Sequence, residues 1–555
     1  MSIVASMREK IRAEVIAALT SARAAGRLDF AAIPEFTVEV PREKAHGDFA
    51  VNVALVMAKA AKMAPRQVAQ LIVEYLPPDV FEKIEIAGPG FLNFFLKKTW
   101  FYSCLPEVIA RDRQYGNSSA GGGKKIQVEF VSANPTGLLH MGNARGAALG
   151  DTLANLLEAA GFAVTREFYI NDAGNQIENF GKSLEARYLQ LHGQDVPFPE
   201  EGYHGEDIAA TVKNIIKQVK DKYLHIESQL RREFLIQKAL EEKISGIRHD
   251  LAQFGVDYDV WFSEQSLHDS GAITQTLQKL QEQGYIYEKE GALWFKTTLF
   301  GDEKDEVMIR SNGLPTYFAA DIAYHRNKFE RGFDEVINIW GADHHGHVAR
   351  MKGAIQALGY NPDNLQIILM QLVRLYRKGE IVRMSKRSGQ YVTLSELVEE
   401  VGRDAARFFF VMRSADSHLD FDLDLAKQES NDNPVYYVQY AHARINSIIK
   451  AYPGKMPDPA GIDFDVLTEA GEVELIRKIA DLPDEIAEAA LNREPHRMTR
   501  YAHELASLFH SFYNSCRVLC DDEQLCAARL ILVDAARITL RNVLELLGIT
   551  APERM

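Results

Sequence analysis

The chain has 555 residues, of which 46% are hydrophobic and 25% charged, as in an ordinary soluble protein of roughly two to four domains. Its formal net charge of -14 argues against general binding to polyanions but leaves room for a local basic surface that binds nucleic acid. No apolar run approaches membrane-spanning length, so we expect no membrane role. The N-terminus lacks a signal-peptide core and the four cysteines lack zinc-site spacing, which predicts a cytoplasmic protein with buried thiols.

An N-terminal α/β domain is predicted over residues 1–115. Helical periodicity covers residues 3–24 and 49–75, and residues 84–92 predict a hairpin. The Gly- and Ser-rich residues 117–123 then predict a linker. The chain therefore begins with a unit separate from the one that follows.

The middle of the chain predicts an α/β fold with a doubly wound parallel sheet of the nucleotide-binding, Rossmann-like type. Four β-prone runs alternate there with helical stretches: residues 126–131, 164–170, 335–340 and 365–372. Ligands of such sheets bind at the carboxyl ends of the strands. We assign residues 124–395 to this domain and interpret the polar region of about 190–298 as an insertion without chemistry.

An all-helical domain is predicted over residues 396–555, because apolar positions recur there at helical spacing. The clearest stretches are residues 435–449, 472–491 and 495–518. The last stretch carries a polar, partly basic face that includes Arg500, for which a solvated surface is the simpler interpretation. A helical bundle is therefore expected to close the chain.

The first chemically informative segment is residues 133–143, Ala-Asn-Pro-Thr-Gly-Leu-Leu-His-Met-Gly-Asn. It lies between a predicted strand and a predicted helix. Unpaired N–H groups and the helix dipole make such a helix start favourable for phosphate, so His140, Gly142 and Asn143 are candidate nucleotide ligands. Gly142 also permits close approach of the nucleotide.

The second segment is residues 383–387, Arg-Met-Ser-Lys-Arg. It supplies the cations that a displaced pyrophosphate requires, and Lys386 is the best candidate. Taken alone, the first segment is more simply a helix start and the second a solvated basic loop. Their joint presence favours ATP-driven adenylation, with Mg²⁺ accompanying ATP.

These segments resemble the two signatures of class I aminoacyl-tRNA synthetases, in their arginyl form. Residues 128–143 resemble the first signature, and Met384-Ser385-Lys386 resembles the second. Residues 404–407 and 414–444 are similar to the arginyl anticodon-binding domain, and residues 47–50 are similar to part of the N-terminal domain that contacts the tRNA elbow. The resemblance covers essentially the whole chain.

The chain departs from the family pattern at three positions. Asn143 replaces a second His, Arg383 replaces Lys, and Ala406 replaces Leu. Asn still donates a hydrogen bond to phosphate and Arg remains cationic, so we expect the chemistry to survive both polar changes. Ala406 should affect only packing.

The resemblance implies L-arginine, ATP and tRNA-Arg as ligands, with tRNA bound before the amino acid is activated. A guanidinium and an α-ammonium in one ligand require at least two acceptors. The resemblance implies that the amino acid is held by Glu129, Asn134, Tyr317 and Asp321. Within that set we assign Asp321 with Tyr317 to the guanidinium and Asn134 to the α-amino and carboxylate end, and Glu129 could support either cation. The apolar neighbours of Asp321 favour a half-buried site over a surface acid.

The segment from Gly341 to His347 contains three imidazoles and a carboxylate within five positions, which also suggests zinc. Its spacing lacks a helical i, i+4 pair, and the resemblance implies adenine and ribose contacts instead. We therefore predict no metal site in the chain.

The remaining assignments concern phosphate chemistry, ATP and tRNA. The implied catalytic residues are His140, Asn143 and Lys386. The implied ATP-binding residues are Gly142, Asp343, His344, Met384 and Ser385. The predicted tRNA contacts are Arg500 and Tyr513, whose ring would stack on an anticodon base.

Two other classes of function remain open. A small-molecule adenylyltransferase would share the phosphate-binding turn but would not need the terminal domains. A non-catalytic RNA-binding protein could keep those domains, yet Glu129, Asp321 and Lys386 would then be unexplained. We expect an enzyme that acts as a monomer.

Overall fold

The computed structural model of the chain describes residues 3–41, 43–78, 81–97, 99–382 and 392–555. The predicted second signature, with Met384, Ser385 and Lys386, lies outside these residues. No helix in the described ranges is both long and apolar enough to cross a membrane. Every cysteine is a free thiol, and the buried ones are Cys104, Cys516 and Cys526.

The N-terminal unit is an antiparallel sheet covered by helices. Its elements are α1 (Ile3–Ala24), β1 (Val38–Glu39), β2 (Phe49–Val51), α2 (Val53–Ala61), α3 (Pro65–Tyr75), β3 (Phe81–Ala87) and β4 (Phe91–Leu96), followed by α4 (Thr99–Tyr102) and α5 (Cys104–Arg111). The strand order is β1-β2-β4-β3. Helix was predicted from residue 49, but residues 49–51 form strand β2 and are fully buried. A short buried apolar run has no periodicity that separates strand from helix, which explains the error.

The central domain alternates strands and helices, as predicted. Its elements are β5 (Lys125–Glu129), α6 (Met141–Ala159), β6 (Ala163–Ile170), α7 (Gly174–Leu191), α8 (Glu206–Val219), α9 (Ser228–Gln253), β7 (Val260–Ser263), α10 (Gln265–Asp269), α11 (Ala272–Glu282), β8 (Ile286–Lys289), β9 (Ala292–Phe295), β10 (Glu306–Ile309), α12 (Tyr317–Glu330), β11 (Glu335–Gly341), α13 (His345–Ala357), β12 (Leu365–Met370), β13 (Val373–Arg377) and β14 (Glu380–Ile381).

The main sheet of this domain is parallel throughout, with strand order β12-β11-β5-β6-β7. The chain runs outward from β5 to one edge and later from β11 to the other, which confirms the predicted doubly wound fold. In such a sheet the ligand crevice lies outside the carboxyl ends of the strands where the order reverses. Here that point is the junction of β5 and β11.

The two faces of this sheet have different characters, because side chains alternate along a strand. Ile126 and Val128 of β5 and Ile337 of β11 belong to the main hydrophobic core on the side of α6. Glu129 and Asn338 are paired in register on the other face, and both contact a lysine of α12. Buried polar groups are thus concentrated on one face.

The region 190–298 is not a single insertion, contrary to the prediction. Strand β7 lies inside it and joins the main sheet beside β6. The separately packed part is formed by α7, α8 and α9 around a small core that includes Phe180, Tyr188, Ile208 and Leu235. Strand β7 is only 4 residues long and half-buried throughout, so it left no clear alternation in the sequence.

The C-terminal part is mainly helical. Its elements are α14 (Leu394–Val401), α15 (Arg403–Val411), β15 (Leu419–Asp422), α16 (Leu423–Ala426), α17 (Pro434–Ala451), α18 (Ala470–Ala480), α19 (Leu482–Asn492), α20 (His496–Ser515) and α21 (Glu523–Leu546). Strand β15 pairs in parallel with β13 of the central domain. The helical bundle therefore begins after β15, later than the predicted boundary at residue 396.

The central domain and the bundle share one hydrophobic core, and a buried arginine connects them. Arg407 of α15 is fully buried, and its guanidinium donates to the Asp151 carboxylate of α6 at 2.5 Å and to the Leu547 carbonyl after α21 at 2.8 Å. The neighbouring Ala406 is also fully buried, as its predicted packing role requires. Removing one partner of such a buried ion pair costs roughly 3–5 kcal/mol, so the pair holds three elements in one arrangement.

Candidate active site

The turn after β5 leads into the start of α6, where the predicted phosphate ligands lie. His140 is the N-cap residue, and its Nδ1 accepts the Gly142 N–H at 3.1 Å. Asn143 reaches back, and its Oδ1 accepts the His140 N–H at 3.0 Å. Since Nδ1 of His140 is an acceptor, Nε2 carries the proton and is a donor, as is the amide nitrogen of Asn143. The structure therefore brings His140, Gly142 and Asn143 together at one helix start.

The chain that follows residues 383–391 lies beside this helix start. Thr393 forms a β-bridge with His140, and the Leu394 N–H donates to the Leu139 carbonyl at 2.9 Å. Thr393 also caps α14 through a reciprocal pair of bonds with Glu396. The described residues that follow the predicted second signature in the chain thus contact the first signature.

The backbone between β5 and α6 is strained. Val131 has φ of 69° and Ser132 has φ of 40°, a region that β-branched residues in particular avoid. The turn directs the Ser132 hydroxyl back to the Glu129 carboxylate, to which it donates at 2.8 Å. Asn134 lies farther along the same loop and is exposed. The strain thus serves to orient Glu129 at the end of its strand.

Glu129 forms a buried ion pair that the sequence analysis missed. Its side chain is only 8% exposed, and Oε2 accepts from the ammonium of Lys328 at 2.5 Å. Lys328 is completely buried, and it also donates to Asn338 Oδ1 at 2.8 Å. The Asn338 amide in turn contacts His325 Nε2 at 2.6 Å. The side chain of Glu129 is therefore held in place, and its negative charge is balanced by Lys328.

Helix α12 presents one face to the crevice and the sheet. Tyr317, Asp321, His325 and Lys328 follow one another at spacings of four, four and three, which places them on one side of the helix. Tyr317 and Asp321 are partly exposed near the helix start, whereas His325 and Lys328 are buried deeper. The Asp321 carboxylate lies 3.2 Å from His347 Nε2 of α13. This spacing was the sequence signal that could have identified His325 and Lys328.

Glu264, which follows β7, is a second acid that the sequence analysis missed. It is 3% exposed, and burial together with the charges of Asp321 and Asp172 raises the pKa of its carboxyl to about 7, although Tyr169 partly offsets the rise. His268 of α10 lies 3.7 Å from the carboxyl. Because β7 was not among the predicted strands, Glu264 was not recognised as a residue at the carboxyl end of the sheet. A buried acid near Asp321 is a further acceptor for a cationic ligand.

The residues predicted to contact adenine and ribose follow β11. Asp343 and His344 lie in a short 3-10 turn between β11 and α13, with side chains 84% and 57% exposed. They directly precede α13, whose His347 contacts the Asp321 carboxylate. Among the described residues, no group of three or more His, Cys, Asp or Glu side chains could hold a metal ion.

The predicted RNA-contacting tyrosine lies in a cleft of the helical bundle. Tyr513 is half-buried in a cavity of about 1080 Å³, and the Arg444 guanidinium lies 4.5 Å from the centre of its ring. Arg444 also lies 5.5 Å from the Tyr440 ring, and the C-terminal Met555 lines the same cleft. The cleft therefore combines aromatic planes with a cation.

Arg500 does not belong to this cleft. It lies on the same helix as Tyr513 but about 20 Å away along the axis. Its side chain is 60% exposed and pairs with Glu485 at 3.7 Å and Glu504 at 3.9 Å. The structure thus separates the two residues that were predicted to contact RNA.

The fold and the helix start at His140 define the catalytic domain of a class I aminoacyl-tRNA synthetase. The family described as "tRNA synthetases class I (R), catalytic domain" matches residues 104–420. "Arginyl tRNA synthetase N terminal domain" matches residues 6–96, and "DALR anticodon binding domain" matches residues 438–555. The chain belongs to the arginyl-tRNA synthetase family.

Similar proteins span the whole chain. It is 65% identical over 563 residues to the arginine–tRNA ligase of Heliobacterium modesticaldum, and 63% identical over 560 residues to that of Moorella thermoacetica, with 100% of each chain covered in both pairs. The solved Thermus thermophilus arginyl-tRNA synthetase covers 99% of this chain and is itself covered to 100%, at 24% identity and a TM-score of 0.73. That structure shows the shared fold.

Proposed function

We propose that this chain is an arginine–tRNA ligase that activates L-arginine with ATP and transfers it to the 3′ end of tRNA-Arg. The observation that carries the proposal is a pair of acids near the strand reversal: Glu129 ends β5, Asp321 lies on α12, and both act electrostatically on Tyr169. An amino acid with two cationic groups requires more than one carboxylate. Full-length similarity to arginine–tRNA ligases supports the same assignment.

Arginine recognition is assigned to residues of β5, its following loop, α12 and the end of β7. Asp321 and Tyr317 hold the guanidinium, with Glu264 as a further acceptor. Asn134 binds the α-amino and carboxylate end, and Glu129 supports either cation. The Lys328 charge leaves Glu129 paired before the substrate arrives, which reduces the cost of an empty acidic pocket.

Activation is an in-line displacement at the α-phosphorus of ATP. An oxygen of the arginine carboxylate forms the new bond to phosphorus, and the bond to the pyrophosphate oxygen breaks. His140 and Asn143 donate to phosphate oxygens, and Lys386 stabilises the charge that develops on the leaving pyrophosphate. Gly142, Asp343, His344, Met384 and Ser385 are assigned to ATP binding.

Mg²⁺ is proposed to arrive with ATP. Magnesium in such sites is held largely by substrate phosphates and water rather than by a protein cage. The donor groups at the start of α6 are N–H groups, which suit phosphate oxygens rather than a cation. When bound, the ion would neutralise phosphate charge while the protein groups orient the nucleotide.

Transfer follows when a terminal ribose hydroxyl of the tRNA attacks the arginyl carbonyl and AMP leaves. The cleft that contains Tyr513, Tyr440 and Arg444 is suited to an unpaired anticodon base, because aromatic rings and guanidinium planes stack on bases. Bound tRNA is proposed to precede activation. The enzyme is proposed to act as a monomer in the cytoplasm.

ATP–pyrophosphate exchange, measured with each common amino acid in the presence and absence of tRNA-Arg, tests this function. Arginine with tRNA should support rapid exchange, and the other amino acids should not. Faster exchange with lysine, glutamate or cysteine would refute the substrate assignment. Exchange with arginine at full rate without tRNA would refute only the order of binding.

A further inference from the structure

A completely buried arginine lies just behind the phosphate-binding helix start. Arg145 is on the second turn of α6, two residues after Asn143, and it is 0% exposed. Its guanidinium donates to the main-chain oxygen of Gln371 at 2.7 Å and to those of Ser414 and Ser417, each at 2.9 Å. In the described part of the chain these three carbonyls are its only hydrogen-bond partners, since its Nε has none. This arrangement is unusual, because buried guanidinium groups are normally paired with an acid.

The guanidinium keeps its charge at neutral pH. Burial lowers the pKa of Arg145 to about 10, and the charge of Asp416 offsets the effect in part. A hydrogen bond from a charged donor is roughly twice as strong as a neutral one, and the guanidinium presents its donors in a rigid planar fork. Three such bonds to main-chain oxygens therefore hold the peptide groups that carry them in one arrangement around α6.

The three carbonyls belong to two loops that lead into neighbouring strands. Gln371 lies between β12 and β13, and Ser414 and Ser417 lie in the loop before β15. The Gln371 N–H donates to the Ala415 carbonyl at 2.9 Å, and β13 and β15 then pair in parallel. Arg145 therefore sets where both strands begin relative to α6.

Strand β13 leads to the predicted second signature. It forms a hairpin with β14, and residues 383–391 follow shortly after. On the far side of those residues, Thr393 forms a β-bridge with His140 at the start of α6. The described residues before and after the second signature are therefore both attached to α6, the earlier ones through Arg145 and the later ones through His140.

We propose that Arg145 is a positioning residue for adenylation: by fixing the origin of β13, it sets the position of Lys386 relative to the phosphate ligands at the start of α6. The inference rests on the proposed function, in which Lys386 stabilises the leaving pyrophosphate. A cation serves this purpose only where the charge develops, so a displacement of about 1 Å can lower the rate roughly 100-fold. Substrate binding before the reaction depends on this position much less.

The first variant is Arg145→Met, which keeps a long side chain but removes every donor. In ATP–pyrophosphate exchange with L-arginine and tRNA-Arg, kcat should fall roughly 100-fold. The KM for L-arginine, the KM for ATP and the Kd for tRNA-Arg should each change less than about threefold. Arg145→Lys keeps the charge but not the fork, so its kcat should be intermediate. If Arg145→Met does not fold, Arg145→Lys carries the test.

A combination with Lys386→Ala distinguishes positioning from a merely structural role. If Arg145 acts through Lys386, adding either Arg145 variant to the Lys386→Ala protein should lower kcat by less than about threefold more, because the effects of residues that act as a unit do not multiply. Arg407→Lys is the matched control, since Arg407 is also completely buried and contacts α6, through Asp151 at 2.5 Å. It should lower the melting temperature but change kcat by less than about threefold.

The proposal is overturned if the losses multiply in the double variant, or if both Arg145 variants keep kcat within about threefold of the unaltered protein. A Lys386→Ala protein with full kcat overturns it as well. Absence of exchange with L-arginine in the unaltered chain has a different meaning, because it would refute the proposed function. If the unaltered chain is active and the losses multiply, only the role of Arg145 is refuted.

Discussion

The arginine pocket and the Tyr513 cleft are both assigned to charged ligands, but they are built in opposite ways. In the pocket, Glu129, Lys328 and Glu264 are buried, and each is held by specific partners. In the cleft, Tyr513 is half-buried, and Arg444 lies over its ring in a cavity of about 1080 Å³. The pocket thus holds charged groups in fixed positions, whereas the cleft offers aromatic rings and a guanidinium in an open cavity.

The difference follows from the ligands. A small amino acid with two cationic groups can be desolvated completely, so a few buried and correctly oriented charges can supply its binding energy. A polynucleotide keeps most of its charge in water, and its unpaired bases are bound by stacking on planes. Changes in the pocket should therefore have larger effects than changes in the cleft.

The largest effect is expected for Asp321→Asn, which keeps the shape of the side chain but removes the anion that faces the guanidinium. Loss of one partner from a desolvated ion pair costs about 3–5 kcal/mol. The kcat/KM for arginine should fall by that amount in aminoacylation assays while the KM for ATP is largely kept. An unchanged kcat/KM for arginine would remove Asp321 from the pocket.

Lys386→Ala should slow adenylate formation by about 3–4 kcal/mol, the usual value of a group that stabilises developing charge. Because that charge is greatest in the transition state, tRNA affinity should change much less. Single-turnover adenylate formation and tRNA binding measured on the same preparation distinguish the two effects. Equal losses would identify Lys386 as a tRNA-docking residue.

In the cleft, Tyr513→Ala should cost about 1–3 kcal/mol in tRNA affinity or charging efficiency, which is typical of one base–aromatic contact. Tyr513→Phe is the matched control, since it keeps the ring and should keep the affinity. Both variants should be nearly indistinguishable on a tRNA without its anticodon arm. A Tyr513→Ala protein that unfolds easily but charges intact tRNA normally would place this ring in the core instead.

Arginine binding should also strengthen with pH because of Glu264. Its carboxyl has a pKa of about 7 in the folded protein, and a guanidinium favours the ionised form. Below that pKa each pH unit should weaken arginine binding by up to about 1.4 kcal/mol, and above it the dependence should disappear. Titration calorimetry from pH 5.5 to 8.5 measures this, and Glu264→Gln should abolish it.

The neighbours of Glu264 are Tyr169, Asp172, His268 and Asp321, and a pH dependence that survives Glu264→Gln would show that Glu264 is not its cause. The contribution of Glu264 to folding stability depends on pH in the opposite direction to its effect on arginine binding. The folded pKa of Glu264 is raised above the unfolded value of about 4.3, so the folded state binds more protons between those values. The contribution of Glu264 to stability should therefore decrease as pH rises from about 4.3 to 7.

The smallest effect is expected for Arg500→Ala. Arg500 is 60% exposed and lies between Glu485 and Glu504, which already neutralise it. A phosphate contact from such a residue should contribute at most about 1 kcal/mol. It should weaken further with added salt, so tRNA binding at two ionic strengths is the measurement. A loss as large as that of Tyr513→Ala would show that an exposed, already paired arginine contributes as much to tRNA binding as the aromatic cleft, which contradicts this comparison.

Strand periodicity and helix-start chemistry were enough to predict the doubly wound sheet and the grouping of His140, Gly142 and Asn143. Strand β7 was not predictable, because its apolar run is only three residues long and its four half-buried residues show no alternation. Its absence concealed Glu264, whose position depends on where that strand ends.

The buried network is a different case, because its pattern was visible in the sequence. Asp321, His325 and Lys328 follow helical spacing, but a buried lysine is rare and such spacing normally describes a solvated face. Only the contact of Lys328 with Glu129, about 200 residues away, shows that this face of the helix is buried and not solvated. Likewise, Arg500 and Tyr513 share a helix, and their separation along it became relevant only when the cleft was seen.

The junction at Arg407 has a consequence for how this protein can be dissected. Its guanidinium contacts Asp151 and the carbonyl of Leu547, so the last residues of the chain complete the interior of the domain that carries the first signature. A fragment that ends before Leu547 would leave the buried Nε of Arg407 without its carbonyl acceptor. The smallest fragment that folds with an intact adenylation site should therefore extend from before β5 to the C-terminus. The matched families, in contrast, divide the chain between residues 420 and 438.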